Sequence, residues 1–354
     1  MKSNYLIKED IEEIYSFIGT ANVKALIGKT ILVTGAAGFI GRYLIELMSY
    51  INQLHPDNPI KIIAVDNWIT QPQEKDNRRN KEDSVIYRDI DINDEFTIED
   101  PVDFIIHAAG IASPFYYAKF PLETIEVATT GTKNLLNLAI QKNVEAFLFF
   151  SSSEIYGDPD SNHVPTLETY AGNVSTVGPR ACYDESKRLG ETYCKVFQSH
   201  YGVPTKIVRP FNIYGPGMKK NDYRVMPDFI NRALSNKPLN IYRPGTQTRT
   251  FCYSTDALNG FLRALIKGSP GEPYNIGNSH PEITISDLAS KLEDVLGRPL
   301  LKSFVEYPNE YPSDEPIRRC PNLTKSKTHL GYEPQISLDE GLRRSIKWAS
   351  VEYK

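Results

Sequence analysis

The chain has 354 residues, 44 of them acidic and 40 basic, for a formal net charge of −4. At about 150 residues per domain this suits two domains, or one large α/β unit with a smaller appendage. A 40% hydrophobic and 24% charged composition supports a real core and excludes wholesale disorder. The slightly acidic balance leaves no basic footprint for nucleic acid or for an anionic membrane surface. No apolar run reaches the ~18 residues of a membrane-spanning helix. The start, MKSNYLIKEDIEEIYSF, lacks the apolar stretch of a signal peptide. Cys182, Cys194, Cys252 and Cys320 show no CxxC spacing, so incidental or buried thiols are expected rather than zinc or disulfides. A cytoplasmic, reducing location is the simplest expectation.

Residues 1–28 are expected to form an N-terminal helical extension. Ile7, Ile11, Ile14, Tyr15 and Ile18 recur at helical spacing with acids between them, and that stripe should pack on the body or on a second subunit. Strand and helix patterns then alternate: a strand at Thr30–Val33, the helix GRYLIELMSYI, and a strand at Ile60–Val65. The charged segment Gln71–Asp83 reads as a solvated loop. Further strands are predicted at Asp103–His107, Ala146–Phe150 and Thr205–Val208, with helices near Leu122–Lys142 and Tyr183–His200. Such alternation implies right-handed crossovers and a doubly wound, mostly parallel sheet, an α/β Rossmann-like class. The sheet domain is expected over 29–210, with a return segment near 250–266 that includes Ala257–Leu265. Residues 211–354, richer in Pro, Gly and Arg, should make up most of a smaller α/β domain.

The segment ILVTGAAGFIGRYL runs from a strand through Gly35, Gly38 and Gly41 into a helix. The first glycine makes the tight turn, the second admits a pyrophosphate close to the backbone, and the third lets helix pack on strand. The helix N-terminus then presents N–H groups and a positive dipole end to the phosphates. Asp66 ends the next strand, where a carboxylate accepts from ribose hydroxyls and repels a 2′-phosphate, favouring NAD over NADP. Asp89 and Ile90, in YRDID, are placed at the adenine border. The sheet domain is thus expected to bind the dinucleotide and the smaller domain the substrate.

Tyr183 and Lys187 lie four apart and share a helix face. An ammonium beside a phenol favours the phenolate, so the tyrosine is expected to titrate below its usual range and to serve as a base towards a hydroxyl. Ser151–Ser153 follow the strand Ala146–Phe150, at the sheet end where ligands bind. Glu154 adds a carboxylate beside these hydroxyls, fit for acid or base work.

With these elements in place, the chain resembles an extended short-chain dehydrogenase/reductase that modifies nucleotide sugars, nearest the UDP-glucuronate decarboxylase branch. The resemblance rests on TGAAGFIG, HAAGIASP, SSSEIYGDP, VGPRACYDESKR, VRPFNIYGPGM, the pair Arg224–Val225, GTQTRTFCYSTD, YNIGN and PIRRCPN, in that order over about residues 29–350. It implies Ser152, Glu154, Tyr183 and Lys187 as catalytic residues. For NAD it implies Gly35, Gly38, Phe39, Ile40, Gly41, Asp66, Asn67, Asp89, Ile90, Ala109 and Pro210, together with Tyr183 and Lys187. For the nucleotide sugar it implies Ser113, Asn212, Arg224, Val225, Tyr242, Gln247, Arg249 and Arg319; arginine forks suit a diphosphate. It implies no metal, and a homodimer built on the helix of Tyr183 and the one near 122–142. The sequence departs from the family pattern at Ser186, Ala128 and Asn322 and in the loop SPFYYAKFP.

The activity so implied is NAD-dependent oxidation at C4 of a UDP-hexuronate followed by decarboxylation. A 4-epimerase or 4,6-dehydratase on another nucleotide sugar stays open, as does a non-catalytic dinucleotide sensor. Ser153 stands where dehydratases of thymidine sugars carry an aspartate, and epimerases usually lack the glutamate at 154.

Overall fold

The computed structural model describes residues 7–70, 84–306 and 316–354; the segment Gln71–Asp83 expected as a loop lies outside them. Its strands are β1 (Thr30–Thr34), β2 (Lys61–Asp66), β3 (Val85–Asp89), β4 (Phe104–His107), β5 (Ala146–Phe150), β6 (Thr205–Pro210), β7 (Ile213–Tyr214), β8 (Leu239–Tyr242), β9 (Thr248–Arg249), β10 (Cys252–Tyr253), β11 (Pro273–Ile276), β12 (Ile283–Thr284), β13 (Lys302–Val305) and β14 (Arg318–Arg319). The α-helices are α1 (Lys8–Ile18), α2 (Thr20–Lys24), α3 (Phe39–Leu54), α4 (Pro114–Lys119), α5 (Pro121–Ala128), α6 (Thr130–Lys142), α7 (Ala181–Tyr201), α8 (Val225–Leu234), α9 (Ser254–Lys267), α10 (Ile285–Leu296) and α11 (Leu338–Glu352).

Seven strands form one parallel sheet in the order β11-β6-β5-β4-β1-β2-β3. The central strands TILVT, FIIH and AFLFF are buried throughout, as apolar strands covered on both faces must be. One face packs on α3, α9 and α1 through residues such as Leu44, Leu47, Phe261 and Ile14. The other packs on α6 and α7 through Leu135, Leu136, Cys194 and Phe197. The strand order reverses between β1 and β4, which opens a crevice at their carboxyl ends. A second core around Phe229, Ile241, Leu288 and Trp348 carries the small sheets.

The helix expected near Leu122–Lys142 is broken into α5 and α6 at Thr129, whose backbone sits at φ −117, ψ −76. Hydroxyls explain the break: Thr129 and Thr132 donate back to the carbonyls of Ile125 and Ala128 at 2.8 Å each, a contact that bends helices. β3 and β11, the two edge strands, escaped the sequence reading; VIYRD is only half-buried and PYNI is four residues long.

The N-terminal helix α1 packs on the body. Ile11, Ile14 and Ile18 join the core with α3 and α9. Asp10 is fully buried there. Its carboxylate accepts from the Tyr253 hydroxyl at 2.7 Å and from Arg344 of α11 at 3.1 Å. Arg344 also holds Glu13 at 2.8 Å. The extension therefore ties the large sheet's helical layer to the C-terminal helix. Burial raises the Asp10 carboxyl from 3.8 to about 6. The folded chain thus binds this proton more tightly than the unfolded chain does. The contribution to stability is present below about 4 and is lost as pH rises through about 6. In Asp10→Asn, the fall in Tm over that window should be shallower than in the wild type. Parallel Tm curves for the two proteins would refute the assignment.

Candidate active site

At the switch point, Gly35 has φ +69, and a Cβ there would lie 2.7 Å from the Ala109 backbone nitrogen. A Cβ on Gly41 would meet the Gly35 carbonyl oxygen at 2.2 Å, and one on Gly38 would meet the same atom at 3.0 Å. Only glycine lets α3 start this close to the turn, so the backbone forms an open cradle ahead of the helix N-terminus. A cleft follows, lined by Gly35, Gly38, Asp66, Asn67, Ile90, Ala109 and Gly110 among others. Asp66 is fixed at its rim by accepting from the Ala37 and Trp68 N–H groups at 2.9 and 2.8 Å. These residues fit a dinucleotide: a phosphate cradle, a helix N-terminus, and a carboxylate where ribose hydroxyls would sit.

Asp89 is not part of this lining. It is exposed at the end of β3, and the chain turns inward after it. Asp91 lines the cleft instead and accepts from the Asn67 side-chain amide at 2.9 Å. Phe39, Ile40 and Gly41 belong to the first turn of α3 rather than to the cleft wall; Phe39 packs edge-on against Tyr43 at 5.6 Å. Pro210 closes β6, at the same end of the sheet.

β5 delivers the hydroxyl-rich turn to that end, and Ser153–Tyr156 coil into one 3₁₀ turn. The Ser152 hydroxyl accepts from the Glu154 N–H at 3.2 Å and shares a hydrogen bond with Tyr183. Tyr183 is buried on α7 and stacks on Tyr117 with centroids 5.6 Å apart. Lys187, one turn on, donates to the Phe150 carbonyl at 2.7 Å. A Cβ on Gly110 would lie 3.0 Å from the Lys187 ammonium nitrogen, so this cation stands against the wall of the dinucleotide cleft.

The expected fall in the Tyr183 titration point does not occur in this site. Its phenol is pushed up to about 12, chiefly by burial and secondarily by Glu154 and Asp184, against the Ser152 hydrogen bond and Arg224. The Lys187 ammonium sits 5.9 Å from the tyrosine ring centroid and gives one of its three donors to Phe150. Burial also brings Lys187 itself down to about 8. Helical spacing places the pair on one face, but desolvation outweighs their attraction.

Glu154 is mostly buried, and its Oε2 receives two guanidiniums. Arg180 donates from one side and Arg319 from the other, the latter at 2.7 Å. Arg319 also reaches Asn212 Oδ1 at 3.4 Å. Ser152, Glu154, Tyr183, Asn212 and Arg319 therefore form one contact network beside Lys187. Ser113 donates to the Asp222 carbonyl at 2.6 Å, and Arg224 forks onto the Asp222 carboxylate with its longer bond at 2.7 Å. Val225 opens α8 directly after Arg224.

The remaining predicted substrate residues stand apart from the network. Arg249 donates to the carbonyls of Thr248 and Pro316 at 2.8 Å each, and stands opposite Arg319 in the β9/β14 pair. Gln247 is buried one residue before β9, and Tyr242 ends β8 beside α8. Sequence reasoning missed Arg180, Asp91 and Asp222. The one signal for Arg180 is its place three residues before Tyr183, at the cap of α7.

A family model, the NAD dependent epimerase/dehydratase family, matches residues 31–277. The chain belongs to that family. It is 40% identical over 316 residues to UDP-glucuronic acid decarboxylase 6 of Arabidopsis thaliana, covering 88% of this chain and 86% of the relative. UDP-glucuronic acid decarboxylase 1 of Danio rerio is 37% identical, covering 92% of this chain and 73% of that one. Among solved structures, UDP-glucuronic acid 4-epimerase from Bacillus cereus, in complex with UDP-glucuronic acid and NAD, superposes with a TM-score of 0.75 at 26% identity, covering 90% of this chain and 98% of that one. The chain is thus an NAD-dependent enzyme of the nucleotide-sugar decarboxylase, epimerase and dehydratase type.

The cradle geometry makes a direct prediction. Gly41→Ala forces helix and turn apart, so Tm should fall by an amount equivalent to about 1–3 kcal/mol. The rise in Tm on adding NAD should shrink as well. An unchanged NAD-induced rise would show that the cradle does not hold the cofactor.

Proposed function

We propose that this enzyme decarboxylates a UDP-hexuronate, UDP-glucuronate in the first instance, with NAD as cofactor. The observation that carries the reading is the Glu154 carboxylate set between Arg180 and Arg319 beside the Ser152–Tyr183 pair. Similarity to two UDP-glucuronic acid decarboxylases supports it. Gly35, Gly38 and Gly41 hold the pyrophosphate, Asp66 an adenosine ribose, and Lys187 reaches the cleft wall where the nicotinamide ribose would lie.

When bound, the oxidised cofactor supplies the acceptor for the hydrogen and electron pair at C4 and adds positive charge near Tyr183. That charge is what the buried phenol needs in order to ionise. Tyr183 then takes the O4 proton, with the Ser152 hydroxyl hydrogen-bonded to the same oxygen. The product of that oxidation is a β-keto acid. Its C5–carboxyl bond breaks, CO₂ leaves, and the electron pair delocalises onto the C4 oxygen. Tyr183, now a phenol again, and Ser152 hold that enolate oxygen. Arg319 presents a planar fork to the sugar carboxylate. C5 takes up one proton from solvent, through a water molecule that the Glu154 carboxylate orients. Returning the hydrogen to C4 would complete a UDP-pentose.

Resemblance to a UDP-glucuronic acid 4-epimerase defines the rival reading, in which the carboxylate is kept. Incubation with NAD and UDP-glucuronate should release CO₂ and a UDP-pentose. Formation of UDP-galacturonate without CO₂ would establish the epimerase instead, and turnover of neutral UDP-hexoses alone would remove both. Tyr183→Phe should cost at least about 10²-fold in turnover.

The same reading includes a homodimer. α5 and α7 pack together, and they leave Leu122, Ile125, Leu189 and Val196 exposed, an apolar face that a second copy would cover. Light scattering should give twice the chain mass, and Leu189→Glu should reduce it to one.

A further inference from the structure

Glu154 Oε2 accepts from two guanidiniums at once, yet the two arginines are built in differently. Arg180 is 4% exposed at its side chain, with Asp184 3.6 Å from its Nε. Its own carbonyl accepts from the Tyr183 and Asp184 N–H groups at 2.9 and 3.0 Å, as the cap of α7. The Arg180 backbone is thus fixed by the turn that carries Tyr183, and its side chain is held between Glu154 and Asp184. Arg319 is held more loosely. It sits on the two-residue strand β14, its second polar contact, to Asn212, is 3.4 Å long, and its buried Nε makes no hydrogen bond, whereas the Arg180 Nε faces the Asp184 carboxylate at 3.6 Å. A buried guanidinium with an unspent donor costs free energy, and a planar acceptor with two oxygens would satisfy it.

The geometry points to an exchange: Arg180 is the permanent partner of Glu154, and Arg319 is the partner that a substrate carboxylate draws away. This rests on the decarboxylase reading and deepens it. On exchange, the Arg319 fork turns to the sugar carboxylate and frees a lone pair on Glu154 Oε2 at the moment an acidic sugar is present. A neutral sugar offers no competing acceptor, leaves Arg319 on Glu154, and leaves that oxygen occupied. Arg180 is then a positioning residue. It keeps Glu154 in place through the exchange and fixes it relative to Tyr183, because one residue serves both the helix cap and the carboxylate.

The test uses the full-length protein with NAD. UDP-glucuronate and UDP-glucose binding are measured by calorimetry, and single turnovers follow NADH absorbance and CO₂ release separately. Arg319→Gln should weaken UDP-glucuronate by about ten- to a hundredfold while changing UDP-glucose affinity by less than about twofold. Arg180→Gln should slow CO₂ release by at least about tenfold while NADH formation from the same substrate changes far less, since the Arg180 carbonyl still caps α7. Arg180→Lys, which restores the charge in case the glutamine variant folds poorly, should recover most of the CO₂ rate. Equal losses for both sugars in Arg319→Gln, or equal slowing of NADH and CO₂ in the Arg180 variants, would overturn the exchange while leaving the decarboxylase reading intact. Absence of CO₂ release from the wild type would overturn that reading, and the exchange with it.

Discussion

A carboxylate shared by two guanidiniums, at the point where β5 ends and α7 begins, is the interaction on which the site depends. Glu154 reaches it from the turn after β5, Arg180 from the cap of α7, and Arg319 from β14 in the smaller set of sheets. Three distant segments of chain thus meet at one oxygen. A buried ion pair of this kind contributes little net stability, because desolvation offsets most of the attraction. Removing one member is a different matter, since it strands a charge. The arrangement therefore acts less as a source of stability than as a constraint on where the segments can sit. It brings the Arg319 strand to the same end of the parallel sheet as Tyr183 and Lys187, closing the space in which a sugar would be held.

Beneath this junction the sheet is stiffened by a second polar network. Arg209 of β6 forks onto Glu191 of α7 at 2.6 and 2.8 Å. It also donates to the Tyr156 hydroxyl at 2.7 Å, and that hydroxyl donates to Asn275 of β11 at 2.7 Å. Glu191 lies one helical turn beyond Lys187 and takes the Ser151 hydroxyl. The turn that presents Ser152 and the helix that presents Tyr183 and Lys187 are thus fixed to β6 and β11 independently of the Glu154 contact. Preorganisation of this sort keeps the hydroxyl, phenol and ammonium in register before substrate arrives.

What was legible in the sequence is what local geometry dictates. Gly35, Gly38 and Gly41 could be read because a strand, a tight turn and a helix require small residues at those offsets, and Tyr183 and Lys187 because four residues make one helical turn. The alternation of apolar strands and helices was enough to give a parallel sheet. Asp91 lines the cleft and Asp89 does not, because a chain leaving a strand end no longer follows the strand's pattern. Arg180 and Asp222 escaped because their importance arises only when residues 26 positions from Glu154 and 109 from Ser113 are brought together. Resemblance places Arg249 at the nucleotide sugar, and no spacing rule announces that it also donates to the main-chain carbonyls of Thr248 and Pro316.

The titration of Tyr183 marks the same boundary from the energetic side. Spacing fixes which groups are neighbours, whereas burial fixes what their proximity is worth. Burial pushes the Tyr183 phenol up to about 12 and brings the Lys187 ammonium down to about 8. Both shifts oppose the creation of charge in a dry site: the phenol stays neutral at neutral pH, and the lysine holds its proton less firmly than in water. A cationic ligand ring would reverse that balance, because a phenolate next to a positive charge is favoured most strongly where water is scarce. On the proposed reading, an oxidised cofactor beside Tyr183 would strengthen this base, which would tie removal of the sugar hydroxyl proton to the presence of an acceptor for the hydrogen that leaves with it.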